Sequence, residues 1–281
     1  MERQVAVTQG TIRVGDTGEG ETLVFLHGAL VDGRLWDPVV ERLAGDARCV
    51  VPDLPLGAHR TAMRPDADLT PPGLARLVAE LLERLDLRDV TLVGNDTGGA
   101  IAQLVAAHHP ERLGRLVLTP CDAFDNFLPK AFRPLQVVGA NVPGALRVAG
   151  EALRLRAARD SPLGFGLLVK RPIDPALSDS WIAAGRADAG VRRDARKLLQ
   201  GIDKRHTLEA AERLRGFDRP ALLAWAPEDK VFPFAHAERL AQLLPDARVE
   251  RIDDSRTFVS LDRPDRVAAL LRDAVGAPAA A

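Results

Sequence analysis

The sequence predicts an α/β fold in which helices cover both faces of a mainly parallel, eight-stranded sheet. Short apolar segments alternate with segments of helical periodicity. The predicted strands are continuous apolar runs, which is typical of parallel strands buried on both faces. The alternation stops at about residue 121, resumes at about residue 217, and so indicates an inserted helical segment between these points.

The elements before the interruption begin with two antiparallel strands joined at Gly10. In the segment 73–85, six leucine and valine residues fall on one helical face, and this predicts an amphipathic helix. The predicted strands of this half are 4–8, 11–15, 22–27, 47–52, 89–93 and 114–119. The predicted helices are 36–43, 73–85 and 98–108.

After the interruption the alternation continues with strands 221–226 and 248–252 and helices 235–244 and 264–275. We therefore predict a core domain formed by residues 1–120 and 217–281, with a helical cap formed by residues 121–216. Prolines and glycines divide the cap into several weakly amphipathic helical stretches. The tail 276–281 is expected to fray.

The composition excludes several classes of function. The net charge of −1 gives no basis for nucleic-acid binding. The start of the chain lacks a signal-peptide pattern and no apolar run is long enough to span a membrane, so a cytoplasmic protein without membrane association is expected. Cys49 and Cys121 are expected to be buried free thiols. No metal-ligand cluster stands out, and we expect no metal or cofactor, a small-molecule substrate, and either a monomer or a homodimer.

Residues 92–99 read Leu-Val-Gly-Asn-Asp-Thr-Gly-Gly, with Asp96 at the centre of a small-x-nucleophile-x-small pattern. A sharp turn from strand to helix needs small flanking residues, and the helix N-terminus favours an anion there. An aspartate that only caps the helix is the alternative interpretation. The two glycines after Thr97, directly following an apolar strand, favour a reactive carboxylate.

Four motifs in order resemble the α/β-hydrolase fold over nearly the whole chain. They are an apolar strand ending in His27-Gly28, the turn at Asp96, a strand followed by Pro227-Glu228-Asp229, and a final strand, loop and helix. The aspartate at the turn and the helical cap resemble the branch that contains epoxide hydrolases and haloalkane dehalogenases.

This resemblance implies roles for individual residues. Asp96 would be the nucleophile, whose covalent ester is then released by water. The backbone N–H groups of Ala29 and Thr97 would form the oxyanion hole. Asp229 would be the acid that orients a catalytic histidine. We expect His27 to be an architectural hydrogen-bonding residue.

The expected histidine is absent from its place. The family loop reads Asp-x-Gly-His-Phe, and here Thr257 stands at the histidine position, directly before Phe258. Threonine cannot act as a general base near neutral pH. We hypothesise that His59, in the loop after strand 47–52, reaches the site instead, with His206 as the second choice. A surface histidine is the alternative for His59.

Other departures narrow the reaction. The chain has no tyrosine, so the epoxide activation used in that branch is not expected. Thr97 and Ala29 stand where dehalogenases place halide-binding residues, and halide release is therefore disfavoured. Asp122 and Asp125 are interpreted as cap-hinge residues. The substrate pocket is predicted between the sheet edge and the cap, lined by Ala29, Leu30, Trp36, Phe124, Phe127, Trp181, Phe232 and Phe258.

Three functions stay open from the sequence. The first is hydrolysis of a small apolar substrate with Asp96 as nucleophile or as the base that activates water. The second is a lyase, isomerase or cyclase, for example in natural-product tailoring, that uses Asp96 as an acid/base in a dry pocket. The third is a catalytically silent ligand-binding protein.

Overall fold

The structure, a computed structural model, describes residues 1–276, so most of the tail 276–281 lies outside it. The sheet has eight strands in the order β1-β2-β4-β3-β5-β6-β7-β8. The strand β2 pairs antiparallel with β1 and β4, and all other pairs are parallel. The predicted fold class is confirmed. The strands are β1 Glu2–Val7, β2 Gly10–Thr17, β3 Thr22–Leu26, β4 Arg48–Pro52, β5 Val90–Asp96, β6 Leu113–Cys121, β7 Ala221–Trp225 and β8 Ala247–Arg251.

Helices cover the sheet and carry the insertion. Those of the core are α1 Asp37–Arg42, α2 Pro71–Arg84, α3 Thr97–His108, α10 Phe234–Leu243, α11 Val259–Asp262 and α12 Pro264–Gly276. Those of the insertion are α4 Arg133–Asn141, α5 Ala145–Ala152, α6 Arg156–Arg159, α7 Pro175–Ala187, α8 Ala189–Gly201 and α9 Lys204–Arg213. A 3-10 turn, Gly33–Trp36, precedes α1, so the helix predicted at 36–43 is shorter than expected.

The central strands are buried because helices lie on both of their faces. Every residue of β5 and β6 is buried, including Thr91 and Arg115. The strand β8 lies at the edge of the sheet, where one side has no neighbour, and its residues are half-buried or exposed. The continuous apolar pattern therefore marks the middle of the sheet, as predicted. Cys49 and Cys121 are both buried free thiols.

The segment 121–216 is helical, and most of it forms a separate layer. Helix α4 packs on α8, α5 packs on α7, and α7 packs on α8. Helix α9 differs because it packs on α3, in the layer beside the sheet. Its Thr207 Oγ1 donates a hydrogen bond to the Phe124 carbonyl at 2.6 Å. The last helix of the predicted cap thus packs with the core.

Three buried carboxylates join the core to the segment 121–216, and we call them the seam carboxylates: Asp32, Asp194 and Asp262. The Asp32 carboxylate accepts from Trp181 Nε1 at 3.0 Å and from the Arg34 guanidinium. The Asp194 carboxylate accepts from the Met63 N–H at 2.7 Å and from Arg193.

The third seam carboxylate accepts hydrogen bonds from the backbone of three residues in two segments of the chain. The Asp262 carboxylate accepts from the N–H groups of Lys170, Arg171 and Arg256 at 3.0–3.1 Å. The Phe258 N–H also donates to the Leu168 carbonyl at 2.8 Å. The loop that carries Thr257 is therefore fixed to the inserted segment. Within residues 1–276, no helix is long and apolar enough to cross a membrane.

Candidate active site

Asp96 lies at the junction of β5 and α3, in a backbone conformation that few non-glycine residues adopt. Its φ is 52° and its ψ is −130°. A Cβ atom on Gly98 would lie 2.4 Å from the His27 carbonyl oxygen, and one on Gly99 would lie 2.2 Å from Cys121 Cβ. The small residues of the motif are thus required by the close approach of β3 and β6. A strained turn of this kind is typical of a functional side chain.

The Asp96 carboxyl group is almost fully enclosed, with 8% of the residue exposed. It lies against Gly28, where an added Cβ would come within 2.4 Å of Asp96 Oδ2. Burial raises the pKa of Asp96 to about 7. A backbone hydrogen bond from Thr97 opposes this shift and the charge of Asp229 adds to it. Thr97 was predicted as an oxyanion donor, and here its N–H contacts the Asp96 carboxyl itself.

Asp229 and Thr257 form a hydrogen-bonded pair at the place where an Asp–His pair was expected. Thr257 Oγ1 donates to Asp229 Oδ2 at 2.8 Å. The N–H groups of Val231 and Phe232 each donate to Asp229 Oδ1 at 2.7 Å. Burial raises the pKa of Asp229 to about 6, although these hydrogen bonds and the charge of Arg256 oppose the shift. The Thr257 hydroxyl is therefore a hydrogen-bond donor to the Asp229 carboxylate.

Asn95 is a site residue that the sequence reasoning missed. Its Nδ2 donates to the Thr257 carbonyl at 2.7 Å and to Thr119 Oγ1 at 2.9 Å, and it also lies 3.1 Å from the Pro120 carbonyl. Asn95 thus ties the loop of Thr257 to the ends of β5 and β6. The signal in the sequence was a polar residue at the end of an apolar strand. The structure shows that this residue is fully buried.

Asp122 lies near Asp96, and its interpretation as a cap-hinge residue stays a prediction. It is fully buried, with its Oδ2 3.3 Å from Thr97 Oγ1, which is itself 3.5 Å from Asp96 Oδ1. Its Oδ1 has no hydrogen-bond partner among the described residues. Burial and the neighbouring charge of Asp96 raise the pKa of Asp122 well above its usual value. Asp125, in contrast, is exposed.

His59 and His27 make hydrogen bonds away from Asp96. His59 accepts from the Gly57 N–H at its Nδ1 and contacts Asp194 through its Nε2 at 3.2 Å, so its ring belongs to the seam. The role of His59 as a substitute base stays a prediction. His27 accepts from the Leu54 N–H at its Nε2, in agreement with an architectural role. His236 is buried beside Phe124.

The predicted pocket residues divide into two groups. Trp181 packs edge-to-face on Phe258 at 6.0 Å, close to Thr257, and Phe232 contacts Asp229 through its N–H. Trp36 and Phe124, in the second group, make their ring contacts with residues outside the predicted pocket. Trp36 packs on Phe25 at 5.1 Å. The ring of Phe124 lies 3.8 Å beneath the Arg239 guanidinium. Leu30, Phe127 and Ala29 are buried or half-buried, and their role in binding stays a prediction.

Comparison with known proteins agrees with this architecture. An uncharacterised protein of Mycobacterium tuberculosis is 26% identical over 266 residues, covering 89% of this chain and 73% of the relative. A poly(3-hydroxyalkanoate) depolymerase of Ectopseudomonas oleovorans is 26% identical over 250 residues, covering 89% and 82%. A haloalkane dehalogenase of Mesorhizobium japonicum is 33% identical over 111 residues, covering 39% and 35%.

Among solved structures, a DBJA mutant superimposes with a TM-score of 0.80 at 19% identity, covering 98% of both chains. A thermophilic esterase of Thermogutta terrifontis gives a TM-score of 0.76 at 21% identity, also covering 98% of both. At these identities the likeness concerns the fold. The profile of the alpha/beta hydrolase family matches residues 23–270. The chain therefore belongs to the alpha/beta hydrolase family.

Proposed function

We propose that this protein hydrolyses a small, mostly apolar substrate and that Asp96 either activates the water or attacks the substrate itself. The observation that carries the proposal is the position of the Asp96 carboxyl group. It is held in a strained turn, lies against Gly28 and is almost fully buried. Among the described residues it has no ion pair with a cationic side chain. The carboxyl group is therefore available to accept a proton or to attack a substrate.

The geometry favours Asp96 as a general base. A carboxyl group with a pKa of about 7 is well matched to accept a proton from water near neutral pH. The water oxygen would then bond to the electrophilic carbon of the substrate, the bond from that carbon to the leaving group would break with its electron pair going to the leaving group, and the protonated Asp96 would give that group the proton. This route needs no histidine. The nucleophilic route leaves an ester on Asp96, and Thr257 cannot activate the water that must cleave it.

The relatives suggest which substrates to test first. One is named a poly(3-hydroxyalkanoate) depolymerase and one a haloalkane dehalogenase. Short-chain esters are therefore the first class for a screen, and haloalkanes are the second. The apolar side chains near Thr257, such as Phe258 and Trp181, suit an uncharged acyl or alkyl group.

Isotope labelling distinguishes the two versions. A single turnover in H₂¹⁸O, followed by mass spectrometry of the peptide that contains Asp96, is expected to place ¹⁸O in the product and none in Asp96. Label in Asp96 would establish the nucleophilic route instead. Asp96→Asn is expected to lower kcat/KM by roughly 10³-fold or more, because either role needs the carboxylate. The control is Asp125→Asn, which changes an exposed carboxylate and is expected to keep the wild-type rate.

One observation favours a second candidate function. Thr257 donates to Asp229 where a water-activating imidazole would stand, and an acid/base reaction without water tolerates that change. A lyase, isomerase or cyclase would give products whose combined mass equals that of the substrate, without ¹⁸O. Tight binding of screened compounds with no turnover, unaffected by Asp96→Asn, would reject both enzymatic proposals.

A further inference from the structure

A cavity of about 230 Å³ lies between the segment 160–173 and the loop that carries Thr257. Its wall combines apolar side chains with charged ones, and Arg256 closes it on the side of the loop. The residues used here are Phe165, Gly166, Val169, Pro172, Ile173 and Arg256. Its volume is below the range of cavities that hold drug-sized ligands, so it suits a small organic molecule.

The Arg256 guanidinium is held in place by backbone carbonyl groups. Its Nη1 donates to the carbonyl of Gly166 at 3.1 Å and to that of Val169 at 3.0 Å. Its own N–H donates to Asp262. These contacts fix the guanidinium in the cavity wall and leave its Nη2 and Nε without a protein acceptor among the described residues. A fixed guanidinium presents its donors in a fork that matches a carboxylate.

The neighbouring charges show why Arg256 differs. Lys170, which also borders the cavity, pairs with Glu228 at 2.7 Å and with Asp254 at 3.0 Å. Arg171 pairs with Asp254 as well. Asp160 accepts from Arg156 at 3.2 Å. Within residues 1–276, the Arg256 guanidinium has no carboxylate within 4.0 Å, so it supplies an unpaired charge to this cavity.

We propose that this cavity is a binding site for a small organic monocarboxylate, whose carboxylate pairs with Arg256 and whose apolar body lies against Phe165, Val169 and Ile173. The half-buried, fixed cation provides charge recognition, and the apolar side chains of the wall favour a ligand with an apolar body over short polar anions. The site does not depend on the reaction proposed for Asp96, since its occupancy is measured as binding.

The site is also joined to the reaction centre. Arg256 directly precedes Thr257, whose hydroxyl contacts Asp229, and the charge of Arg256 acts on the Asp229 carboxyl. On the other side, the Phe165 ring packs edge-to-face on Trp181 at 5.2 Å, and Trp181 packs on Phe258. A bound carboxylate would therefore change the indole environment of Trp181, which gives a fluorescence signal.

The test is a titration of the full chain with sodium hexanoate and, separately, with hexanamide, followed by isothermal calorimetry and tryptophan fluorescence. The two probes have nearly the same shape and differ in charge. We expect hexanoate to bind with a Kd on the order of 1 mM and hexanamide at least about tenfold more weakly. Equal binding of the two probes, or binding of neither, would overturn the proposal without any variant.

Variants then locate the site. Arg256→Gln is expected to weaken hexanoate binding by about tenfold or more, and unchanged binding would also overturn the proposal. If that variant does not fold, Arg256→Lys keeps the charge and is expected to bind within about tenfold of wild type, so complete loss of binding counts against the proposal. Arg88→Gln, at an exposed loop arginine, is the matched control and should leave the Kd unchanged.

Two measurements distinguish a carboxylate that is part of the substrate from one that belongs to a different ligand. If the acid extends toward the reaction centre, the Kd will tighten from butanoate to decanoate and will change in Asp96→Asn. If the ligand is separate, the Kd will level off with chain length and Asp96→Asn will bind as wild type. Because neither arm measures turnover, an inactive Asp96 would leave this result intact.

Discussion

Two sets of buried carboxylates in this molecule lie in contrasting surroundings. The seam carboxylates Asp32, Asp194 and Asp262 each accept several hydrogen bonds from N–H groups or guanidinium groups. The elbow carboxylates, Asp96 and Asp122, are buried as deeply but have a shared threonine hydroxyl and few N–H donors. The seam carboxylates are therefore surrounded by hydrogen-bond donors that can stabilise a negative charge, whereas the elbow carboxylates have few such donors.

The pKa values of Asp194, Asp96 and Asp122 follow this difference in hydrogen-bond donors. Burial alone raises the pKa of the Asp194 carboxyl, but hydrogen bonds from His59, the Met63 N–H and Arg193 outweigh it and leave the pKa below its usual value. At Asp96 and Asp122 burial dominates and the pKa values rise. The comparison teaches that burial by itself does not mark a reactive carboxylate. The lack of compensating donors does.

The largest effect should appear in the pH dependence of stability. The pKa of Asp96 is about 7 in the folded chain against 3.8 for an ordinary aspartate. Between these values the folded state holds a proton that the unfolded chain has released, so stability falls as the pH rises from about 4 to about 7. Chemical denaturation of wild type and Asp96→Asn should show a difference on the order of 4 kcal/mol at most developing over that window. A difference that stays constant with pH would contradict this account.

The next effect compares the two sets of carboxylates directly. Asp194→Asn is expected to lower the free energy of unfolding by about 2–3 kcal/mol, because an amide cannot accept all the hydrogen bonds that end on Asp194. Asp122→Asn makes the same chemical change at the elbow and is expected to be neutral or stabilising at pH 7. Urea unfolding of both variants gives the measurement. Equal losses would remove the distinction between seam and elbow.

The smallest effect concerns the hydrogen bond between Thr257 and Asp229, at the place where an Asp–His contact was expected. Thr257→Val removes the hydroxyl that donates to Asp229 Oδ2 and should lower the free energy of unfolding by about 1 kcal/mol. It should also raise the pKa of Asp229 further, because one stabilising hydrogen bond is lost. Thr17→Val, at an exposed strand position, serves as the control for the change of residue type. A Thr257→Val protein with unchanged stability would show that this hydrogen bond contributes little.

Much of the fold was predictable because it depends on local patterns. Continuous apolar runs located the strands, and the tight turn at Asp96 followed from Gly94, Gly98 and Gly99. The sequence says less where a residue's surroundings come from distant segments. Helix α9 lies within the segment predicted as the cap, and it packs on α3 of the core. Helical periodicity shows that a segment has an apolar face and does not show what covers it.

The sequence by itself determined the α/β architecture, the position of Asp96 at a tight turn and the presence of Thr257 directly before Phe258 in the last loop. These follow from periodicity, from small residues at fixed spacing and from the order of motifs. Only the tertiary structure decided that Asn95 contacts the loop of Thr257, that Asp122 lies near Asp96, that His59 contacts Asp194, and that the Arg256 guanidinium has no carboxylate partner among the described residues. The physical reason is that hydrogen bonding, desolvation and charge pairing depend on groups far apart in the chain, and folding alone brings those groups together.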